Sequence, residues 1–354
     1  EDKGFGFSLD YVPAKASDGN LVANPLITEI NPEQGDIFFQ FTGAEPTSFD
    51  KTDVESTVYL PTVAGYTQFR GFTIGGAIYV PMGYASDWED SKGVVKKATY
   101  KVESYEKILA LTAAKKITSN LSMGLGINLL NWELERKATK EVTAPVAYTY
   151  NLEMNGDGHD FEGVVGLLYA LPNEKCSFGF VYRSGSKISV KGDAKTSYPL
   201  PFPLPPNTTE EADFNLKQQH PTTYALGIAY KENPNLVFTA DLNCTDWSKQ
   251  KKEITFSSQG NFLRNDDKSL DWKDVNKIRL GVEWTVNDVW KLRAGFFTDP
   301  SPVPDKAVSL TNLIDMDREW YCLGAGYTKG DWQIDMGIQH NKSDRTVKWV
   351  NYEK

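Results

Sequence analysis

Few residues of this chain are placed for covalent chemistry. Its three histidines, His159, His220 and His340, stand in no serine, cysteine or metal motif. Its three cysteines, Cys176, Cys244 and Cys322, are odd in number and lack metal or redox spacing, which reads as unpaired thiols. The segment Asn155-Gly-Asp-Gly-His-Asp160 has the acidic opening of a calcium loop. It lacks the EF-hand spacing and late glutamate, so a glycine-rich surface turn is expected. Phosphate-cradling glycine loops are absent, and the chain is expected to be neither an enzyme nor a holder of a cofactor or metal. What remains is non-covalent chemistry. Arg183, Asp241, Arg279, Glu283, Arg293 and Asp335 sit in runs of alternating polarity. Such charges suit pairing along one wet face.

The elements that position them are strands. Lys277-Ile-Arg-Leu-Gly-Val-Glu-Trp284, Trp290-Lys-Leu-Arg-Ala-Gly-Phe296 and Trp332-Gln-Ile-Asp-Met-Gly-Ile-Gln339 alternate polar and apolar residues without a break. Successive side chains of a strand point to opposite faces. One face therefore carries Ile278, Leu280, Val282 and Trp284, and the other carries Lys277, Arg279 and Glu283. In Leu121-Ser-Met-Gly-Leu-Gly-Ile-Asn-Leu129 the polar face is filled largely by glycine. A soluble sheet would turn the apolar face to a core, whereas a membrane barrel would turn it to lipid.

Composition keeps both arrangements open. The chain has 354 residues and a net charge of −9, which argues against a nucleic-acid partner. Only 40% of residues are apolar and no apolar run reaches helix-spanning length. A barrel strand needs only half its residues apolar, and 12% aromatics suits interfacial girdles. Trp284, Trp290, Trp320 and Trp332, near strand ends, are expected in those girdles.

The connections favour the barrel. Short turns at 116–120, 172–175, 231–235, 287–288 and 329–331 alternate with long polar stretches. Those stretches include 85–100, the region after Arg136 and the proline-rich Pro199-Leu-Pro-Phe-Pro-Leu-Pro-Pro206. Thirteen strands in up-and-down order are expected. Outer-membrane barrels show this alternation of short periplasmic turns and long outer loops, whereas soluble sandwiches favour Greek-key crossings. The fold class is therefore all-β, an antiparallel up-and-down transmembrane barrel.

Three segments carry a family resemblance: Tyr182-Arg-Ser-Gly-Ser-Lys-Ile-Ser-Val-Lys-Gly192, Ala240-Asp-Leu-Asn-Cys-Thr-Asp-Trp-Ser248 and Arg293-Ala-Gly-Phe-Phe-Thr-Asp-Pro-Ser-Pro-Val-Pro-Asp305. They resemble the FadL/TodX outer-membrane transporters of hydrophobic compounds. The resemblance implies a 14-stranded barrel in the bacterial outer membrane, plugged by an N-terminal hatch. It would carry long-chain fatty acids or hydrocarbons, with a sideways exit near the third strand. It places Arg136 and Lys268 at head-group positions, where a buried carboxylate needs a charged partner. The expected partners are such a ligand and membrane lipid or lipopolysaccharide, with no nucleic acid. A single domain over residues 1–354 is expected, without the family's hatch and last strand. The alternative is a barrel of this type serving as structural partner to another envelope protein in a secretion or attachment complex.

Overall fold

The computed structural model describes residues 3–17, 53–92, 95–142, 148–198, 208–305, 316–330 and 332–343. Its strands are β1 (Lys3–Ser17), β2 (Asp53–Phe69), β3 (Phe72–Lys92), β4 (Val95–Lys116), β5 (Leu121–Val142), β6 (Tyr148–Ala170), β7 (Cys176–Arg183), β8 (Ser186–Tyr198) and β9 (Thr208–His220). There follow β10 (Thr223–Asn233), β11 (Leu236–Thr245), β12 (Lys251–Phe256), β13 (Asp266–Ser269), β14 (Val275–Thr285), β15 (Trp290–Asp299), β16 (Arg318–Lys329) and β17 (Trp332–Ser343). All pairings are antiparallel, and each pass lies beside the next in sequence. No described helix is long and apolar enough to span a bilayer.

Four passes are each broken in two. β7 and β8 both pair with β6, β10 and β9 face them, and β11 with β12 meets β14 with β13. The seventeen described strands therefore make thirteen passes, the number expected from alternation. The breaks adjoin one another. Gly185 has φ of 67°, open to glycine at little cost. A Cβ there would lie 2.7 Å from the His220 carbonyl oxygen and 2.9 Å from the Pro221 carbonyl carbon. Pro221 has no N–H for the ladder. The line of breaks continues where the Asp246 amide donates to the Thr222 carbonyl, 3.0 Å away, and where the Ser248 amide donates to Asp274, 2.8 Å away.

Below this line the outward residues form an apolar belt. It includes Leu109 and Leu111 on β4, Leu125 and Ile127 on β5, Leu226 and Ile228 on β10, Ile278 and Leu280 on β14, and Ile334, Met336 and Ile338 on β17. These side chains are strongly exposed: Met336 keeps 74% of its surface and Ile338 69%. Wet exposure on that scale would be costly, and lipid removes the cost. The opposite face of β5 holds Ser122, Gly124, Gly126 and Asn128, the wet side of the wall.

Two sequence expectations are corrected here. Residues 85–92 and 95–100 belong to β3 and β4, and residues 137–142 to β5, rather than to long loops. Strands β3 to β6 run for 21 to 23 residues, about twice what a bilayer needs, so they continue beyond it. Outside lipid an outward face needs no apolar residues, so these extensions read as polar loops. Likewise 155–160 is no surface turn but the middle of β6. Its glycines admit the neighbouring backbone: a Cβ on Gly156 would lie 2.8 Å from the Lys191 carbonyl oxygen, and one on Gly158 would overlap Ser189. Among the described residues no His, Cys, Asp and Glu group is arranged as a metal site, and the three cysteines are free.

The belt predicts a mutational asymmetry along β5. Leu125→Arg should cost about 2–4 kcal/mol in reversible unfolding from phospholipid bilayers. Lys137→Ala, further along the same outward face, should change stability by about 0.5 kcal/mol or less. Equal losses at the two positions would show that the belt does not mark the lipid.

Candidate functional site

The inward face changes character along each strand. On β5 it runs Ser122, Gly124, Gly126 and Asn128, then Leu130, Trp132, Leu134, Arg136 and Ala138. Register sets Leu130 beside Ile108, Arg136 between Val102 and Met154, and Ala138 beside Leu152. Across the sheet Val190 faces Leu216, and Leu216 faces Ile254. Together with Tyr150, Ile188, Tyr198, Phe214 and Leu263 these form one apolar interior beyond the membrane belt. Burying its side chains stabilises this part by roughly 1.5–3 kcal/mol for each large one.

Arg136 is half-buried within that interior, and its Nε is shielded from solvent without a hydrogen bond. Its positive charge reaches the Tyr150 hydroxyl. Burial pushes that hydroxyl up to about 12, against a hydrogen bond with Thr196 and the Arg136 charge. Lys268 lies elsewhere, exposed on β13 opposite Lys252. The structure thus puts Arg136 on apolar walls and Lys268 on a polar hairpin arm, on strands that are not neighbours.

The loop 257–265 joins β12 to β13 and folds into the same interior. Phe262 packs on Tyr198, with ring centroids 4.1 Å apart, and on Tyr150 at 5.3 Å. Leu263 keeps only 3% of its surface. One carboxylate fastens this loop. Glu210 accepts the Asn261 amide at 2.5 Å, the Phe262 amide at 3.1 Å, the Leu263 amide at 2.9 Å and the Tyr198 hydroxyl at 2.6 Å. Burial opposes its charge, but the Leu263 amide, the Tyr198 hydroxyl and the other two amides outweigh burial and hold its pKa below the usual carboxylate value.

The alternating charges fall into three places. Arg293 donates to Glu283 at 2.7 Å and to Asp335 at 2.5 Å, while Lys291 adds a contact to Glu283 at 3.1 Å. Asp241 and Arg279 are direct cross-strand partners, and Asp241 fills the space that Gly227 leaves open. Arg279 lies over the Phe297 ring, 5.9 Å from its centroid. Phe297 in turn stacks on Trp320 at 5.5 Å with planes 10° apart. Trp320 shares the inward face with Arg293 and so is no girdle residue, because its cross-strand partner is Phe297. Trp284, Trp290 and Trp332 are outward and exposed.

Arg183 belongs to a cluster that alternation alone did not pick out. Its Nη1 donates to the Tyr79 hydroxyl at 3.3 Å and lies 4.0 Å from Glu162. His220 sits between two fully buried carboxylates, with Nδ1 2.7 Å from Glu106 and Nε2 3.3 Å from Glu162. Asn128 donates to Glu162 at 2.7 Å. The Glu106 Oε2 accepts no hydrogen bond. The available signal was acids in inward phase on β4 and β6, but nothing in sequence pairs them with a histidine more than fifty residues away.

Two outcomes follow. His220→Ala leaves two buried carboxylates with less compensation and should destabilise the barrel by about 3–5 kcal/mol, read by unfolding in bilayers. For Glu210 the lowered pKa means that its contribution is complete above its ordinary value of about 4.5 and is lost as pH falls through the depressed one. The protection of the 261–263 amides against hydrogen exchange, relative to their intrinsic rates at each pH, should therefore fall on acidification below about pH 4.5, while that of β5 is kept.

Comparison with known proteins follows the same lines. The chain is 26% identical over 374 residues to the long-chain fatty acid transport protein of Salmonella typhi, covering 95% of this chain and 84% of that one. It is 25% identical to the protein of that description from Escherichia coli, covering 95% and 85%. The fold matches the crystal structure of a Pseudomonas aeruginosa FadL homologue with a TM-score of 0.67 at 20% identity, over 87% of this chain and 76% of that one. It also matches the Pseudomonas putida toluene transporter TodX with a TM-score of 0.64 at 14% identity, over 95% and 82%. Residues 15–351 match the family described as outer membrane protein transport protein (OMPP1/FadL/TodX), and the chain belongs to that family of outer-membrane transport barrels.

Proposed function

We propose that this barrel takes up hydrophobic small molecules passively, with long-chain fatty acids or hydrocarbons as its ligand class. The observation that carries this reading is the switch of the inward face from glycine and polar residues to apolar ones around Arg136. An acyl chain would lie among Leu130, Trp132, Met154 and Val190, and a carboxylate would meet the Arg136 guanidinium. Lys268 is a secondary candidate that a head group would pass on the polar arm. The outer-membrane relatives named as fatty acid transport proteins support the same class. No bond is made or broken on this route. Ligand binding drives opening only through its different affinity for the closed and open states. The belt would contact membrane lipid, and the strand extensions would stand among lipopolysaccharide head groups.

The charges Arg183, Asp241, Arg279, Glu283, Arg293 and Asp335 are assigned to holding and shaping the lumen rather than to ligand contact. The ion pairs of Arg293 with Glu283 and Asp335 and of Arg183 with Glu162, and the cross-strand placement of Asp241 opposite Arg279, support this assignment.

The test is calorimetric titration of the delipidated, folded protein with a long-chain fatty acid and with a monoaromatic hydrocarbon. Saturable binding is expected. Arg136→Ala should weaken the fatty acid about tenfold or more, the size of a charged hydrogen bond, and leave the hydrocarbon nearly unchanged. A folded barrel that binds neither ligand would end this reading. Equal loss for both ligands would remove Arg136 as the head-group partner.

A further inference from the structure

The loop 257–265 presents three consecutive backbone amides, those of Asn261, Phe262 and Leu263, to one carboxylate. Successive amides converging on one point form a concave anion site of fixed partial charge. Here the site is filled from within, by the side chain of Glu210. The fit is close: Gly260 has no Cβ, and one added there would overlap the Glu210 carboxylate. Tyr198 supplies a fourth donor at 2.6 Å, and its hydroxyl in turn accepts from Asn261 at 3.0 Å. The Tyr198 ring packs on Phe262, which packs in turn on Tyr150, and both tyrosines belong to the apolar interior. The charges of Arg136 and Glu210 both act on the Tyr150 hydroxyl.

We infer that the amides of Asn261, Phe262 and Leu263, with the Tyr198 hydroxyl, are a second carboxylate-binding subsite, and that Glu210 occupies it as a built-in substitute for the ligand's head group. This rests on the proposed uptake of amphipathic ligands and says how their entry is regulated. A side chain tethered beside its own site has a high effective concentration. Glu210 therefore keeps the loop seated on the interior while no ligand is present. An arriving carboxylate with an apolar tail presents the same two oxygens and also gains apolar burial that Glu210 lacks. It displaces Glu210 from the amides, and the tail enters past Tyr198 and Phe262 towards Arg136. A neutral hydrocarbon has no group to compete with Glu210 and gains nothing at this subsite. The subsite thus separates acids from neutral molecules of equal tail length before either reaches Arg136.

The test compares one long-chain fatty acid with the alcohol of the same chain length, on wild type, Glu210→Ala and Glu210→Gln, by calorimetry in detergent. Removing the internal competitor should tighten the acid about three- to tenfold relative to the alcohol in both variants. Added to Glu210→Gln, where the internal competitor is gone, Tyr198→Phe keeps the ring, removes a donor to the ligand and should shift the same ratio in the opposite direction. A parallel change for acid and alcohol in both Glu210 variants would overturn the inference, leaving Glu210 a structural latch only and the uptake reading intact. Failure of wild type to bind either molecule would instead overturn the uptake reading and this inference with it. If Glu210→Ala unfolds the loop, shown by fast exchange at 261–263, the Gln variant and Tyr198→Phe decide the matter on the same ratio.

Discussion

In lipid every backbone amide and carbonyl of a strand must find its partner on the next strand. Most of what this chain does follows from that requirement. It forces an unbroken meander through the belt, where β4, β5 and β6 pair residue by residue. It also forces the side chains to divide strictly between lipid and lumen. The breaks of the four divided passes gather along one line. The line passes through Gly185, Pro221, Asp246 and the segment before Val275. Beyond it the inward side chains pack into an interior of their own. The apolar belt and the apolar interior are thus consecutive lengths of the same strands, with different rules for their inward faces.

Charge is distributed by the same logic. In the lower lumen, ions remain near water and pair across strands, as Arg293 does with Glu283 and Asp335. At the level where the inward face turns apolar, ions lose water and must be assembled more completely. The His220 cluster stands there, with Glu106 and Glu162 fully buried and Asn128 and Arg183 alongside. Higher still, a single carboxylate, Glu210, is satisfied by backbone amides and a tyrosine.

Much of this was legible in the sequence, for reasons that differ by region. The belt was legible because lipid imposes period-two alternation, so β14, β15 and β17 could be read almost residue by residue. The phase of Arg279, Glu283, Arg293 and Asp335 came with it. The extensions of β3 to β6 were not legible, since an outward face in water selects for no apolar residues and the pattern fades. The glycines of 155–160 misled because a turn and a close passage of two backbones call for the same residue. Trp320 misled because girdle and lumen both accept tryptophan near a strand end, and only register with Phe297 decides. The Glu210 and His220 sites join residues about fifty to more than a hundred positions apart, and no local spacing encodes such meetings.

The breaks described above are unevenly shared around the wall. β4, β5 and β6 run without interruption for 22 or 23 residues, while the four passes from β7 to β14 are each jointed at one height. A wall built this way is stiff on one side and articulated on the other. The fixed side carries Arg136, Tyr150 and the walls around them, and the jointed side carries Glu210, Phe262 and the loop. Under the proposed uptake, the charged end of the pocket would stand on the uninterrupted strands, and admission would fall to residues on the jointed side.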